Sequence, residues 1–520
     1  MSRQSFVYGA FILLLASLCN RLIGFAYQIL MIRLIRPEGV GLFNMVYPIY
    51  ILVLVLATAG IPVAISKLMA EEVARGNLRG AYRVFSIAFW CILASSLFFT
   101  LVLILGAPLL QRYVFPNPKV YYCFVSLIPG IIIVSLCSAF RGFFQGLQQM
   151  TPTAVTQVVE QLVRVIAGLG IAWLMLPKGI EYAAMGISLG VVLGEFVGFL
   201  FMLVIYFQQR PLLSPTVLYF PEPAFKVTSR IFELAIPVTL TRFVSTGFLS
   251  LDAMLIPRRL QAAGMSLSEA TGVYGQFVGI AESLLFTPSI VTISLATALI
   301  PAISDALAQN NLSLVRGRTE EALRLTMLAG LPATAVFFLL PRELCQAIFG
   351  YANAGVALGT LALGGPFLYL QQTTTGILQG LGRAERPLRN LMIAAAFKVT
   401  GIYYLTAIPA LGIRGTALSL CAAYIIMSLL NYRDLKEIIG LRVDFGYCLG
   451  KPLVATTGMS LVMWYVRNFM LGPGDLSRTG LLIVLLLGSF TYLSLLFVFG
   501  GVHSHDLRRL ASFLGWHVKK

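Results

Sequence analysis

The chain has 520 residues, of which 58% are hydrophobic and only 11% are charged, and its formal net charge at pH 7 is +17. Its mean hydropathy of +0.86 is too high for a soluble domain, because one core could not bury so much apolar surface. These values exclude a soluble protein and predict a polytopic membrane protein. Apolar runs of about 20 residues with short loops favour helices over β-strands.

Apolar runs predict fourteen transmembrane spans. They cover residues 6–31, 43–66, 84–108, 120–140, 153–176, 182–207, 231–256, 273–303, 322–341, 355–381, 388–410, 414–432, 450–470 and 479–500. Most Lys and Arg residues fall in the predicted loops that lie on the same side of the membrane as the N-terminus. In membrane proteins the cytoplasmic loops carry most of the basic residues. Both termini are therefore predicted to be cytoplasmic in a multi-pass protein of the cell membrane. Topology accounts for the basic charge, so no nucleic-acid partner is expected.

Two stretches of sequence occur twice. Leu56-Ala-Thr-Ala-Gly-Ile-Pro62 returns as Leu295-Ala-Thr-Ala-Leu-Ile-Pro301, and Gln145-Gly-Leu147 returns as Gln379-Gly-Leu381. The repeat predicts an all-α fold of two pseudo-symmetric six-helix bundles around a central cavity, because an even number of spans puts both copies in the same orientation. The predicted domains are an N-terminal lobe at 1–207, a cytoplasmic linker at 208–227, a C-terminal lobe at 228–434, and two extra helices with a basic cytoplasmic tail at 435–520.

The repeat places one proline at the same position of each lobe. Pro62 and Pro301 fall inside the second and eighth predicted spans. A proline inside a helix removes one backbone hydrogen bond and bends the helix. Two interpretations stay open at this stage, a static kink and a hinge that flexes as the two lobes move.

Basic residues inside apolar spans are the predicted contacts for the transported molecule. Arg21 lies about fifteen residues into the first span, roughly 22 Å from its start, so it should face a wet cavity or a fixed partner. Its predicted repeat mate is Arg242, and two such arginines would suit a doubly charged anion such as a diphosphate. The alternative for Arg242 is an ion pair with Asp252.

The fifth span and its repeat carry further charges. Glu160 and Arg164 stand four residues apart on one helix face, so they are predicted to pair, with cargo binding by Arg164 in the cavity as the alternative. Lys398 occupies the repeat position of Arg164 without the acid, which would leave an exposed positive charge in the cavity. Three lone carboxylates are predicted to bind a coupling ion or to balance the arginines, as Glu160 also could. They are Glu195, Asp252 and Glu282.

No enzyme motif is found. The chain has no P-loop, no HExxH and no GxSxG at a strand-to-helix turn, so no catalytic residue is assigned. The three histidines, His503, His505 and His517, all lie in the last eighteen residues and are interpreted as part of a solvated tail. No metal site and no cofactor are expected.

Three segments resemble a known family. They are Asn20-Arg21-Leu-Ile-Gly24-Phe25, the segment from Arg33 to Pro48, and Gly60-Ile-Pro-Val-Ala-Ile-Ser66-Lys67-Leu-Met-Ala-Glu71. They resemble the stage V sporulation protein B group, which is similar to the MurJ flippases of lipid-linked peptidoglycan precursor in the multidrug/oligosaccharidyl-lipid/polysaccharide exporter superfamily. The resemblance implies a fourteen-helix fold, a cationic cavity that opens to either side, a cargo-binding Arg21, last helices that guide a polyprenyl tail, and a role in spore cortex peptidoglycan.

The chain departs from that family at some positions. MurJ-like proteins carry an Arg-Asp pair where this chain has Tyr27 and Gln28, and second-helix arginines where it has apolar residues at 51–55. The cargo contacts and ion coupling of MurJ therefore do not carry over to this chain. The resemblance as a whole and the repeat-matched basic residues favour a flippase of undecaprenyl-diphosphate-linked peptidoglycan precursor, with membrane lipids and a cell-wall synthase as further partners. The alternatives are a flippase of another lipid-linked polysaccharide or teichoic precursor, a cation-coupled drug exporter, and a non-transporting scaffold.

Overall fold

The computed structural model describes residues 6–209, 222–441, 443–470 and 476–500. Most of the predicted linker, Arg442 and the basic tail with its three histidines lie outside these ranges. The described residues form helices and no strand, which confirms the predicted all-α class. By its internal contacts the chain divides into two compact units, residues 1–279 and 280–520.

The first unit contains eight α-helices within the described residues. They are α1 (Phe6–Thr58), α2 (Ile61–Ala74), α3 (Leu78–Leu109), α4 (Tyr121–Gly146), α5 (Thr151–Met175), α6 (Ile180–Gln209), α7 (Ala224–Ala262) and α8 (Leu267–Gln276). The repeat assigns α7 and α8 to the second lobe, but both contact α1 in the first unit. Arg230 on α7 also donates to Glu71 Oε2 on α2 at 3.2 Å. The repeat-based lobe boundaries stay a prediction.

The second unit contains ten α-helices within the described residues. They are α9 (Ser283–Leu285), α10 (Ser289–Ala308), α11 (Leu312–Leu339), α12 (Pro341–Phe349), α13 (Gly355–Ala362), α14 (Gly365–Gly380), α15 (Glu385–Leu405), α16 (Ile413–Ile439), α17 (Lys451–Tyr465) and α18 (Arg478–Val498). Here α14 packs on α10, α11 and α16, and α17 packs on α11 and α18. Arg386 and Arg389 of α15 both donate to buried Asp434 of α16 at 2.9–3.1 Å, which ties these two helices together.

Short polar motifs begin several helices at predictable places. Asn77 precedes α3, and its side-chain oxygen accepts from the Gly80 N–H at 2.9 Å. Ser266 precedes α8 and exchanges two hydrogen bonds with Glu269, a reciprocal capping box. Because the Ser266 N–H donates to the Glu269 carboxylate, the pKa of Glu269 is lowered from its ordinary value. Such caps satisfy backbone donors that have no partner inside the helix.

Ten helices of the described ranges are long and apolar enough to cross a membrane, or eleven if the bent pair α13 and α14 is counted as one span. The predicted count of fourteen is not reproduced, for identifiable physical reasons. The first two predicted spans form one continuous stretch that is kinked at Arg36, where φ is 59° just before Pro37. α13 and α14 are bent by 57°, and α17 has only 15 α-helical residues between two π-helical turns.

Pro62 and Pro301 differ in their local geometry. Pro62 is in the first turn of α2, so the helix break lies just before it, at Ala59 and Gly60 with φ of 46° and 62°. A side chain on Gly60 would place its Cβ 2.6 Å from the Ala235 carbonyl oxygen, so this turn requires glycine. Pro301 lies inside α10, which is continuous. The assumption that Pro62 lies well inside a helix is therefore wrong, and the hinge role of both prolines stays a prediction.

This geometry changes what is expected of proline variants. Pro62→Ala should slow transport less than Pro301→Ala, because the break before α2 is set by the two left-handed residues, whereas Pro301→Ala restores a missing hydrogen bond inside α10. The measurement is the transport rate in proteoliposomes beside the thermal stability of each variant. A Pro62 variant as slow as the Pro301 variant at unchanged stability would contradict this expectation.

Candidate functional site: a charged cavity in the first unit

A ladder of glycines brings α6 against α5. A Cβ built on Gly190 would lie 2.2 Å from the Gly168 Cα, and a Cβ on Gly194 would lie 2.7 Å from the Glu160 carbonyl oxygen. No side chain fits at such distances, so the two backbones are in direct contact, as small residues at four-residue spacing allow in membranes. The ladder consists of Gly186, Gly190, Gly194 and Gly198.

The close contact of α5 and α6 places four charged side chains in one buried network. Arg164 donates to Glu160 Oε1 and to Glu195 Oε1, both at 2.8 Å. Arg141 on α4 donates to Glu160 Oε2 at 2.5 Å. The four side chains are between 10% and 18% exposed. The predicted pairing of Glu160 with Arg164 is thus present, and it forms part of a larger network.

Two earlier interpretations of these residues are wrong. Glu195 is not a lone carboxylate, because Arg164 binds it across the interface of α5 and α6. The fourth span was predicted to end at residue 140, which left Arg141 outside it, but α4 continues to Gly146 and carries Arg141 into the network. Ionic pairing offsets part of the cost of burying these charges, and the loss of one partner would leave an unpaired buried charge.

A cavity of about 300 Å³ adjoins the network. Its lining residues come from α1, α4 and α5 and are all polar: Ser17, Asn20, Arg21, Arg141, Gln157, Glu160 and Gln161. Arg21 is half-buried, and no ion pair joins it to a described carboxylate. Oδ1 of Asn20 and Nε of Arg141 are buried without a hydrogen-bond partner among the described residues. The cavity therefore presents both donors and an acceptor to a bound molecule.

The charges around this cavity do not cancel. Three guanidinium groups, those of Arg21, Arg141 and Arg164, face two carboxylates, those of Glu160 and Glu195. With ordinary protonation the cluster carries one excess positive charge, and Arg21 is the group whose charge no described carboxylate balances. Such an arrangement favours an anion, since a guanidinium binds phosphate oxygens through two parallel hydrogen bonds.

The other predicted site residues lie elsewhere. Arg242 is exposed on α7 and does not line the cavity. Its alternative ion pair with Asp252 does not form, because the two residues are ten positions apart on one helix, about 15 Å along its axis. Lys398 on α15 is half-buried, and its role as a positive charge in a cavity stays a prediction. Glu282 is half-buried at the end of a π-helical turn, Phe277–Glu282.

Within the described ranges no group of three or more His, Cys, Asp or Glu side chains could hold a metal ion. The residues that sequence reasoning missed are Arg141 and the α6 glycines. A glycine at every fourth position from 186 to 198 is a readable signal for close helix packing in membranes. A buried Arg141 was less clearly indicated by the sequence, because this residue directly follows the predicted end of the fourth span at residue 140.

Family models and curated relatives agree on one group of proteins. The model described as polysaccharide biosynthesis protein matches residues 6–307, and the MatE model matches residues 277–405. Stage V sporulation protein B of Bacillus subtilis (strain 168) is 30% identical over 517 residues, covering 98% of each chain. Lipid II flippase MurJ of the same organism is 25% identical over 485 residues, covering 88% of this chain and 86% of that protein.

Solved structures show the same fold. A lipid II flippase MurJ in an inward closed conformation matches with a TM-score of 0.71 at 16% identity, covering 93% of this chain and 98% of that one. An inward-facing multidrug resistance MATE family transporter matches with a TM-score of 0.67 at 15% identity, covering 81% and 94%. The chain is a multi-pass membrane protein and belongs to the stage V sporulation protein B group, a MurJ-like branch of the multidrug/oligosaccharidyl-lipid/polysaccharide exporter superfamily.

Proposed function

We propose that the protein is a flippase that moves an undecaprenyl-diphosphate-linked peptidoglycan precursor of the lipid II type across the cytoplasmic membrane by alternating access, for synthesis of the spore cortex. The finer architecture belongs to this proposal: fourteen spans, two six-helix lobes around a central cavity, two extra helices and cytoplasmic termini. A cell-wall synthase would be the downstream partner. No catalytic chemistry is part of the proposal.

One observation carries it, the excess positive charge of the Arg21 cavity. A diphosphate brings two negative charges and several acceptor oxygens, and the cavity offers Arg21, the free Nε of Arg141 and the amides of Gln157 and Gln161. Charge-assisted hydrogen bonds of this kind are about twice as strong as neutral ones. The family relationship supports the same cargo class, because relatives include a lipid II flippase.

The cargo class can be tested by native mass spectrometry of the purified protein with its bound lipids. We expect a polyprenyl-diphosphate-linked muropeptide to remain bound. A phosphate-linked teichoic precursor or another lipid-linked polysaccharide in its place would overturn the peptidoglycan assignment while keeping the lipid flippase class. Retention of a small organic cation would favour a drug exporter, which the excess positive charge of the cavity argues against.

The last two helices give a separate prediction about the polyprenyl tail. Their outer faces carry exposed apolar side chains, among them Leu461 and Phe469 around α17 and Phe490 and Leu493 on α18. If this surface holds the tail, removal of everything after Arg442 should weaken binding of the intact lipid while binding of a soluble head-group analogue stays within a few-fold. Each CH₂ group taken out of water contributes about 0.8 kcal/mol, so a long tail makes the difference large.

Truncation also removes contacts that stabilise α11. Arg324, only 4% exposed, donates to the Tyr447 hydroxyl at 2.6 Å, and the Tyr492 hydroxyl donates to the Leu328 carbonyl at 2.8 Å. The matched variant Leu461→Ser with Phe490→Ser keeps these bonds and alters only exposed side chains. Unchanged affinity of this variant for the intact lipid would assign the two helices to a partner or assembly role.

A further inference from the structure

The second unit contains a cavity of about 300 Å³ with a different chemistry. It lies between α10 and α14 beside α16, and none of its lining residues is ionisable. They are Ile293, Ala296, Thr297, Ile300, Gln371, Gln372, Thr375, Gly376, Gln379 and Met427. An anionic group would find no counter-charge among these side chains. The cavity offers hydrogen bonds and apolar contact without charge, which suits an uncharged polar group.

Close packing of α10 on α14 holds the walls of this cavity in place. A Cβ on Gly376 would lie 2.7 Å from the Ala296 Cβ, so the two helices touch at this point. One turn further, the Ser304 hydroxyl of α10 donates to the Gly380 carbonyl oxygen at 2.8 Å. These contacts join the same two helices that supply nine of the ten lining residues, so the site is built on rigid elements.

Some polar side chains of the cavity are held by hydrogen bonds within the protein, and others can form hydrogen bonds with a bound molecule. Gln372 is fixed, since its Nε2 donates to Ser289 at 3.1 Å and its Oε1 accepts from the Thr292 hydroxyl. The side-chain amides of Gln371 and Gln379 make no hydrogen bond to a described residue, and the Thr375 hydroxyl accepts one from Asn431 Nδ2 at 3.2 Å. Gln371, Thr375 and Gln379 follow one another at four-residue spacing, so they form a stripe about 12 Å long on one face of α14.

The internal repeat shows how the two units differ. Aligning Gln145-Gly-Leu147 with Gln379-Gly-Leu381 places Thr375 at the position of Arg141. The same comparison places Ala394 opposite Glu160, and aligning Gly186 with Ala417 places Ile426 opposite Glu195. At three of the four network positions the second unit thus has a hydroxyl or an apolar side chain, and only Lys398, at the position of Arg164, keeps a charge.

We propose that this cavity binds an uncharged saccharide, the sugar portion of the lipid-linked cargo, through the Gln371, Thr375 and Gln379 stripe. Amides and a hydroxyl both donate to and accept from sugar hydroxyl and acetamido groups, and Ile293, Ile300 and Met427 offer apolar contact to the C–H face of a sugar ring. The inference rests on the proposed function, because the saccharide is the sugar portion of the same lipid-linked cargo.

The test compares two ligands in nanodiscs containing the full chain: undecaprenyl diphosphate, and the same lipid carrying a neutral N-acetylated disaccharide. We expect the disaccharide to raise affinity for the wild-type protein. The gain should fall about tenfold in Gln371→Leu with Gln379→Leu, the size expected for two lost hydrogen bonds, while affinity for the bare lipid stays within twofold. Thr375→Val should reduce the gain in the same direction with little change of side-chain shape.

Gln309→Leu is the matched control, because Gln309 is exposed at the end of α10 and does not line the cavity. A disaccharide gain that persists in the double variant, or that is missing in the wild type, overturns the saccharide site and leaves the flippase proposal intact. Wild-type protein that fails to bind bare undecaprenyl diphosphate overturns the proposed function instead. In that case the site can still be tested with the free disaccharide. Weaker disaccharide binding in the cavity variants, with unchanged binding in Gln309→Leu, would support the saccharide site.

Discussion

Replacement of Arg21 by alanine is expected to abolish transport while the protein still accumulates in the membrane at near-normal abundance. Arg21 is half-buried and pairs with no described carboxylate, so its removal strands no buried partner and should cost little folding stability. It does remove the excess positive charge of the cavity. Hydrogen bonds to charged groups contribute about 1.5–3 kcal/mol, which corresponds to roughly 10- to 100-fold in cargo affinity.

The conservative variant makes this expectation more specific. Arg21→Lys keeps the charge but cannot form two parallel hydrogen bonds with a phosphate, so it should restore transport only in part. The measurements are complementation of a deletion strain and immunoblot abundance in membranes, with Arg112→Ala as the control because that arginine is exposed and lies outside the cavity. Full activity of Arg21→Ala would remove Arg21 from the cargo site.

Removal of the Glu160 carboxylate is expected to produce the largest loss of stability. The Glu160 side chain is 11% exposed and accepts from both Arg141 and Arg164, so Glu160→Gln leaves two buried guanidinium groups with a single remaining carboxylate. Breaking a buried ion pair by removing one partner costs about 3–5 kcal/mol. The measurement is thermal unfolding of the purified protein in one detergent, compared with the wild type.

Two further variants separate charge balance from packing. Glu160→Gln combined with Arg141→Gln leaves Arg164 paired with Glu195 and should recover part of the lost stability. Glu181→Gln removes the acid of a more exposed pair, Lys119 with Glu181 at 3.4 Å, and should change stability by less than about 1 kcal/mol. If Glu160→Gln is no more destabilising than Glu181→Gln, the network does not hold the first unit together.

Local patterns allowed correct prediction wherever a residue's neighbours in sequence are also its neighbours in space. The Glu160 and Arg164 pair follows from four-residue spacing on one helix. The membrane depth of Arg21, obtained by counting along an apolar run, stays a prediction. The partner of Arg164 on α6 and that of Glu160 on α4 could not be read this way, because helix packing brings those residues together across distances of 31 and 19 positions.

The span count shows a second limit of sequence patterns. Hydropathy marks apolar stretches, but it does not show whether the chain bends between them or continues. α1 runs through the polar segment around Arg36 because one residue with a non-helical backbone is enough to redirect it. α15 was predicted as a span and forms a single helix. It is not among the ten helices that are apolar enough to cross a membrane, because it contains Arg389, Asn390 and Lys398.

The glycine ladder between α5 and α6 has a mechanical consequence. No side chain separates the backbones at Gly190 and Gly194, so the two helices cannot separate without opening a void, and we expect them to move as one rigid unit. This rigid unit carries Glu160, Arg164 and Glu195, which therefore keep their spacing when the protein changes shape. The dehydration of these three charges is consequently incurred once, during insertion and folding, and does not recur in each transport cycle.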